Sequence, residues 1–140
     1  MKKISVMLLI VFFIGIMSAN GTYAGDGKQY TAGGNDAKYA LIGEFSCKLT
    51  ISGTTAYPSA KLEANSSVDD CEIELMIQEK VGFLWITRAS WTLSSHSNHL
   101  SISRQYTVSS GKTYRAKAKA TVYSANDSES ATVVSAAIEN

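Results

Sequence analysis

Beyond residue 44 the chain alternates apolar and polar positions almost throughout, and no stretch sustains the 3.6-residue apolar repeat of an amphipathic helix. Alternation of this kind predicts β-strands with one dry face and one wet face, because successive side chains of an extended chain point to opposite sides. The clearest case sets Cys71, Ile73, Leu75 and Ile77 against Glu72, Glu74, Met76 and Gln78. Further strands are predicted over Phe45–Ile51, Tyr57–Ala64, Phe83–Leu93, Leu100–Val108, Tyr114–Tyr123 and Ser130–Ile138. In the strand from Phe83, the alternation groups Phe83, Trp85, Thr87, Ala89 and Trp91 opposite Leu84, Ile86, Arg88 and Ser90, which turns Trp85 toward the core. Between the strands, Lys80-Val81-Gly82, Ser94–Asn98, Ser109-Ser110-Gly111 and Asn126–Glu129 read as turns or loops.

Six to seven strands with turn signals between them and no helical crossover predict an all-β, antiparallel sandwich; a closed barrel is the second choice. Two details favour an immunoglobulin-like variety over residues 44–140. They are an inward Trp85 and a tyrosine, Tyr114, that opens the penultimate strand just after a glycine turn.

The N-terminus changes the picture of where the protein resides. Lys2 and Lys3 precede an unbroken apolar run from Val6 to Met17, followed by small and polar residues up to Ala24. That order predicts a secretory signal peptide over residues 1–24, with Thr22 and Ala24 as the small residues before the cut. The run is shorter than the roughly 20 residues of a spanning helix, so no stable membrane anchor is expected. Gly25, Gly27, Gly33, Gly34 and Gly43 among polar residues make 25–43 a flexible lead-in. The exported part carries 11 basic and 12 acidic side chains, a balance that gives no bulk attraction to nucleic acid or to an anionic surface.

In an exported chain Cys47 and Cys71 predict a disulfide, since the oxidising compartment lets one persist. His96 and His99 form an H-x-x-H without a carboxylate or cysteine nearby in sequence, and read as solvated loop histidines. Asp69 and Asp70 with Glu72 and Glu74 read as an acidic rim rather than a calcium loop. No nucleophile elbow occurs. Glu63, Glu72, Glu74 and Glu79 lack the sugar cleft that a glycosidase pair would need. Neither an enzyme nor a cofactor is expected.

The run Ile73–Lys80, then Gly82, Trp85 and Trp91, then Val108–Arg115 and the closing Glu129-Ser130-Ala131 resembles a loose pattern of small exported proteins of Gram-positive bacteria. The resemblance spans roughly Phe45 to Ile138. It implies an immunoglobulin-like or fibronectin-like sandwich in an extracytoplasmic setting, and brings no active site with it.

The candidate surface is the wet face of the penultimate strand, where Arg115, Lys117, Lys119 and Tyr123 recur with period two. In an immunoglobulin-like layout that strand is expected beside the one carrying Leu84, Ile86 and Arg88, merging cations and aliphatics into one patch. Such a patch suits a binding module whose partner is another extracytoplasmic protein, with an anionic or carbohydrate polymer of the envelope second. A secreted immunity or toxin-like effector is the competing reading.

Overall fold

The computed structural model describes residues 22–26, 30–31 and 40–140, the first two segments by their backbone alone. Among the described residues all of the regular structure is strand: β1 (Thr22–Asp26), β2 (Tyr30–Thr31), β3 (Ile42–Ser52), β4 (Thr55–Ala64), β5 (Val68–Val81), β6 (Leu84–Ser95), β7 (His99–Ser103), β8 (Tyr106–Thr107), β9 (Thr113–Ser124), β10 (Ser128–Val134) and β11 (Ile138–Glu139). They form two antiparallel sheets. One has the order β1-β3-β4-β7, with β2 beside β3 and β8 beside β4; the other has the order β10-β9-β5-β6, with β11 beside β9. The leader expected over 1–24 lies outside the described residues except for 22–24, which run in β1. The lead-in expected over 25–43 is described only at 25–26, 30–31 and 40–43.

The dry faces of the two sheets meet, β3 lying across β9 and β10 and β4 across β5. Phe45, Leu49, Ile51 and Leu62 enter from one side and Ile73, Leu75, Ile77 and Val122 from the other, all inaccessible to solvent. Ala116, Ala118 and Ala120 line β9 opposite β3 and are equally buried, which lets the sheets approach closely at that strand. The predicted alternation of β5 therefore holds from Cys71 to Ile77.

Local chemistry explains the irregularities. Gly43 is the extra residue where the β3–β4 register shifts, and a Cβ there would come 3.1 Å from the Glu63 carbonyl oxygen. Pro58 offers no N–H, so the ladder on that side of β4 is interrupted. The expected single strand Leu100–Val108 becomes β7 and β8, with Arg104 N–H donating to the Pro58 carbonyl at 3.0 Å in the gap. Gly53 and Gly82 open two-residue hairpin loops with φ of 60° and 62°, the conformation that a primed turn demands of its first central residue.

Two expectations are corrected here. Cys47 and Cys71 are both buried free thiols, not a disulfide. Cys47 lies against the Ser135 backbone, which pairs with Ala116 of β9, whereas Cys71 is in register with Val122 of the same strand. Those rows are six residues apart, roughly 20 Å at the rise of an extended chain, and a bridge needs Cα atoms within about 7 Å.

Trp85 does not point into the core. The β5–β6 register shifts after Ile77, which faces Ala89 while Gln78 faces Thr87, leaving Arg88 as an extra residue. A one-residue slip reverses the faces. Ala89, Trp91 and Leu93 pack against the core, whereas Trp85 and Thr87 lie on the outer face of the sheet.

Candidate binding face

The outer face of the sheet β10-β9-β5-β6 is built around β9. Arg115, Lys117 and Lys119 occupy alternate positions there, and their cross-strand neighbours on β5 are Gln78, Met76 and Glu74. Arg115 is the most organised of the three. Its Nε donates to Gln78 Oε1 at 2.8 Å, and its Cζ lies 4.3 Å from the Trp85 ring centre, across β5. A cation over an indole face is held by the ring quadrupole. Gln78 Nε2 in turn donates to Thr87 Oγ1 at 3.1 Å, and the residue is only 6% exposed although it is on the outer face. Burial pushes the Arg115 pKa down, but an arginine stays charged at any physiological pH.

Lys117 is flanked by Met76 and Val134, and Lys119 by Glu74 and Thr132. Among the described residues no carboxylate forms an ion pair with either lysine. Tyr123, exposed at the far end of the strand, sits opposite Asp70. It borders a shallow depression of about 290 Å³ with Glu72, Ser94 and His96.

The other half of the expected patch is elsewhere. β9 is not beside β6; β5 lies between them. Leu84 and Ile86 share the face opposite Arg115, since Ile86 is in register with Glu79 and the buried Tyr114. Arg88 also turns to that side, its guanidinium donating to Glu79 Oε2 at 2.7 Å. Glu79, 6% exposed, accepts in addition from the Tyr114 hydroxyl at 3.3 Å, and Lys112 Nζ stands 4.0 Å away. The Arg88 hydrogen bond, foremost, holds the Glu79 carboxyl below its ordinary value, and the same bond raises Arg88. This cluster pins the start of β9 to the end of β5.

His96 meets Asp70, a carboxylate 26 residues away in sequence, in a side-chain hydrogen bond. His99 contacts Asn98 and lies apart from that pair. Glu72 accepts from Ser94 at 3.3 Å. Among the described residues no group of three or more His, Cys, Asp or Glu side chains is placed to hold a metal ion. On the outer face of the other sheet an open trough of about 620 Å³ runs between Ser46, Ser59, Lys61, Ser101 and Ser103. Its lining combines these hydroxyls with Glu44 and Lys48.

No family model matches this chain, and no curated protein or solved structure matches it.

Gln78 and Trp85 are the residues of this face that sequence reasoning missed. Gln78 was legible as a wet position of β5. Trp85 was hidden by the inserted Arg88, for which the alternation gives no signal.

Proposed function

We propose that the protein is an exported, non-enzymatic binding module, a sandwich of the immunoglobulin or fibronectin-like kind. Its docking face is the outer side of the sheet β10-β9-β5-β6. The strand order supports the fold reading: a sheet of order β1-β3-β4-β7 packs on one of order β10-β9-β5-β6, and the connections pass repeatedly between the sheets. Tyr114 supports it as well, for its hydroxyl accepts the Ser109 N–H at 2.9 Å, the geometry of a tyrosine corner.

The observation that carries the functional reading is the cation row Arg115, Lys117 and Lys119, with Arg115 fixed over Trp85 and neither lysine ion-paired among the described residues. A fixed aromatic–arginine pair beside two further cations is suited to an acidic protein surface outside the cytoplasm, where Trp and Arg supply anchors and lysines give steering. An anionic envelope polymer is the second partner class.

The test is capture from culture medium and envelope extract by the parent and by the Arg115→Glu/Lys117→Glu/Lys119→Glu variant. A partner retained by the parent and lost by the variant supports the reading. Equal capture by both overturns it.

A further inference from the structure

The end of the β5–β6 hairpin is apolar and stands clear of the sandwich. Val81 and Leu84 form its last cross-strand pair and Gly82-Phe83 the loop. Phe83 is fully exposed, Leu84 is 65% exposed and Val81 47%. Three neighbouring apolar side chains left in water at the tip of one hairpin are not a by-product of turn chemistry, which asks only for Gly82.

The surroundings of the tip are cationic. Lys80 precedes it on β5, and Arg115 lies over Trp85 at its base. Arg88 and Lys112 flank Glu79, the one carboxylate on this stretch of the hairpin. Glu139 is on the far side of β9, paired through β11. The acidic residues of the same hairpin, Asp69, Asp70, Glu72 and Glu74, gather at its opposite end, on the order of 30 Å away along β5. Along the β5–β6 hairpin the carboxylates, Glu79 excepted, therefore lie away from the tip.

We propose that the Val81–Leu84 tip inserts into the headgroup layer of an anionic membrane. A convex apolar tip ringed by Lys and Arg, with a tryptophan at its base, suits that interface on two counts. The apolar side chains leave water for the acyl boundary, and the cations meet lipid phosphates and carboxylates. Indole rings favour the same depth. The contact is peripheral and reversible. It extends beyond the partner-binding face, with which it shares the Arg115–Trp85 pair, while Lys117 and Lys119 lie further along β9, opposite Met76 and Glu74.

Trp85 is a built-in reporter, while Trp91, packed against the core, supplies a constant background. Because the Val6–Met17 stretch can itself bring the full chain to a vesicle, the decisive readout is at the tip. Quenching of Trp85 by brominated lipid is measured on vesicles of phosphatidylcholine with roughly a quarter phosphatidylserine.

The parent is expected to be quenched. The Phe83→Ser/Leu84→Ser variant should need about tenfold more lipid for the same effect, Lys80→Glu should weaken it, and added salt should do likewise. Phosphatidylcholine alone should leave Trp85 unquenched. Both serines replace exposed side chains, and an unchanged urea midpoint verifies the fold. Absence of quenching on the anionic vesicles, equal quenching of parent and double variant, or equal quenching on neutral vesicles overturns the proposal. A tip reserved for an apolar pocket on a protein would give the first of these outcomes.

Discussion

Tyr114 and Glu79, side by side on β9 and β5, are joined by a hydrogen bond of 3.3 Å from the phenol to the carboxylate. The same phenol oxygen accepts the Ser109 N–H at 2.9 Å, so one hydroxyl ties the 109–112 loop, β9 and β5 together. Replacing it with hydrogen, as in Tyr114→Phe, leaves a backbone donor and a carboxylate oxygen short of a partner in a site with little water. The expected cost is about 1–3 kcal/mol, read as a lower urea midpoint with an unchanged m-value. A midpoint equal to the parent's would show that the loop is held by other contacts.

Glu79 also gives the fold a dependence on acid. Its folded pKa is lowered from the ordinary 4.5, chiefly by the Arg88 hydrogen bond. Near that pH the unfolded chain therefore binds more protons than the folded one. The contribution is complete above 4.5 and is lost as the pH falls through that value toward the lower folded pKa. Glu79→Gln removes the charge, so the stability gap between parent and variant should be widest at neutral pH and close in acid. Unfolding midpoints taken from pH 7 downward check this. A gap that stays constant would mean that Glu79 acts through packing alone.

How far the sequence revealed this molecule depended on whether the relevant fact was local. The dry side of β5 and the row Arg115, Lys117, Lys119 and Tyr123 follow from period two, which each strand expresses by itself. The neighbour of β9 does not, because strand order is set by how two sheets close over a common core. The faces of β6 failed for a different reason. The extra Arg88 reverses the alternation halfway along the strand, and an apolar–polar pattern that contains Leu84, Ile86, Trp85 and Trp91 fits either phase. The cysteines suggested a bridge through their compartment and number, whereas their positions in the sheets, rows apart, decide against it.

The alanine row of β9 sets the spacing of the sheets. Ala116, Ala118 and Ala120 are fully buried, and β3 packs across them. Ala118→Leu inserts a branched side chain where none has room, and should lower stability by about 1–3 kcal/mol or more. The same change at the exposed Ala125 should stay within about 0.5 kcal/mol. Thermal unfolding of the two variants beside the parent tests the contrast, and a tolerated Ala118→Leu would reveal a void between the sheets.

The two thiols should behave as interior groups. Burial pushes Cys47 up to about 12, and burial likewise raises Cys71, with Ser97 hydrogen-bonded to it in partial opposition. Thiolate, the reactive form, is therefore scarce near neutral pH and shielded where it occurs. A thiol reagent should modify neither cysteine in the native protein and both in urea. Reductant should leave the melting temperature where it was. A disulfide would have the opposite signature: no labelling in urea, and a loss of about 3 kcal/mol on reduction by the chain-entropy estimate. That result would require β3 and β5 to slide by several residues, undoing the registers that bury Phe45, Leu49, Ile73 and Leu75.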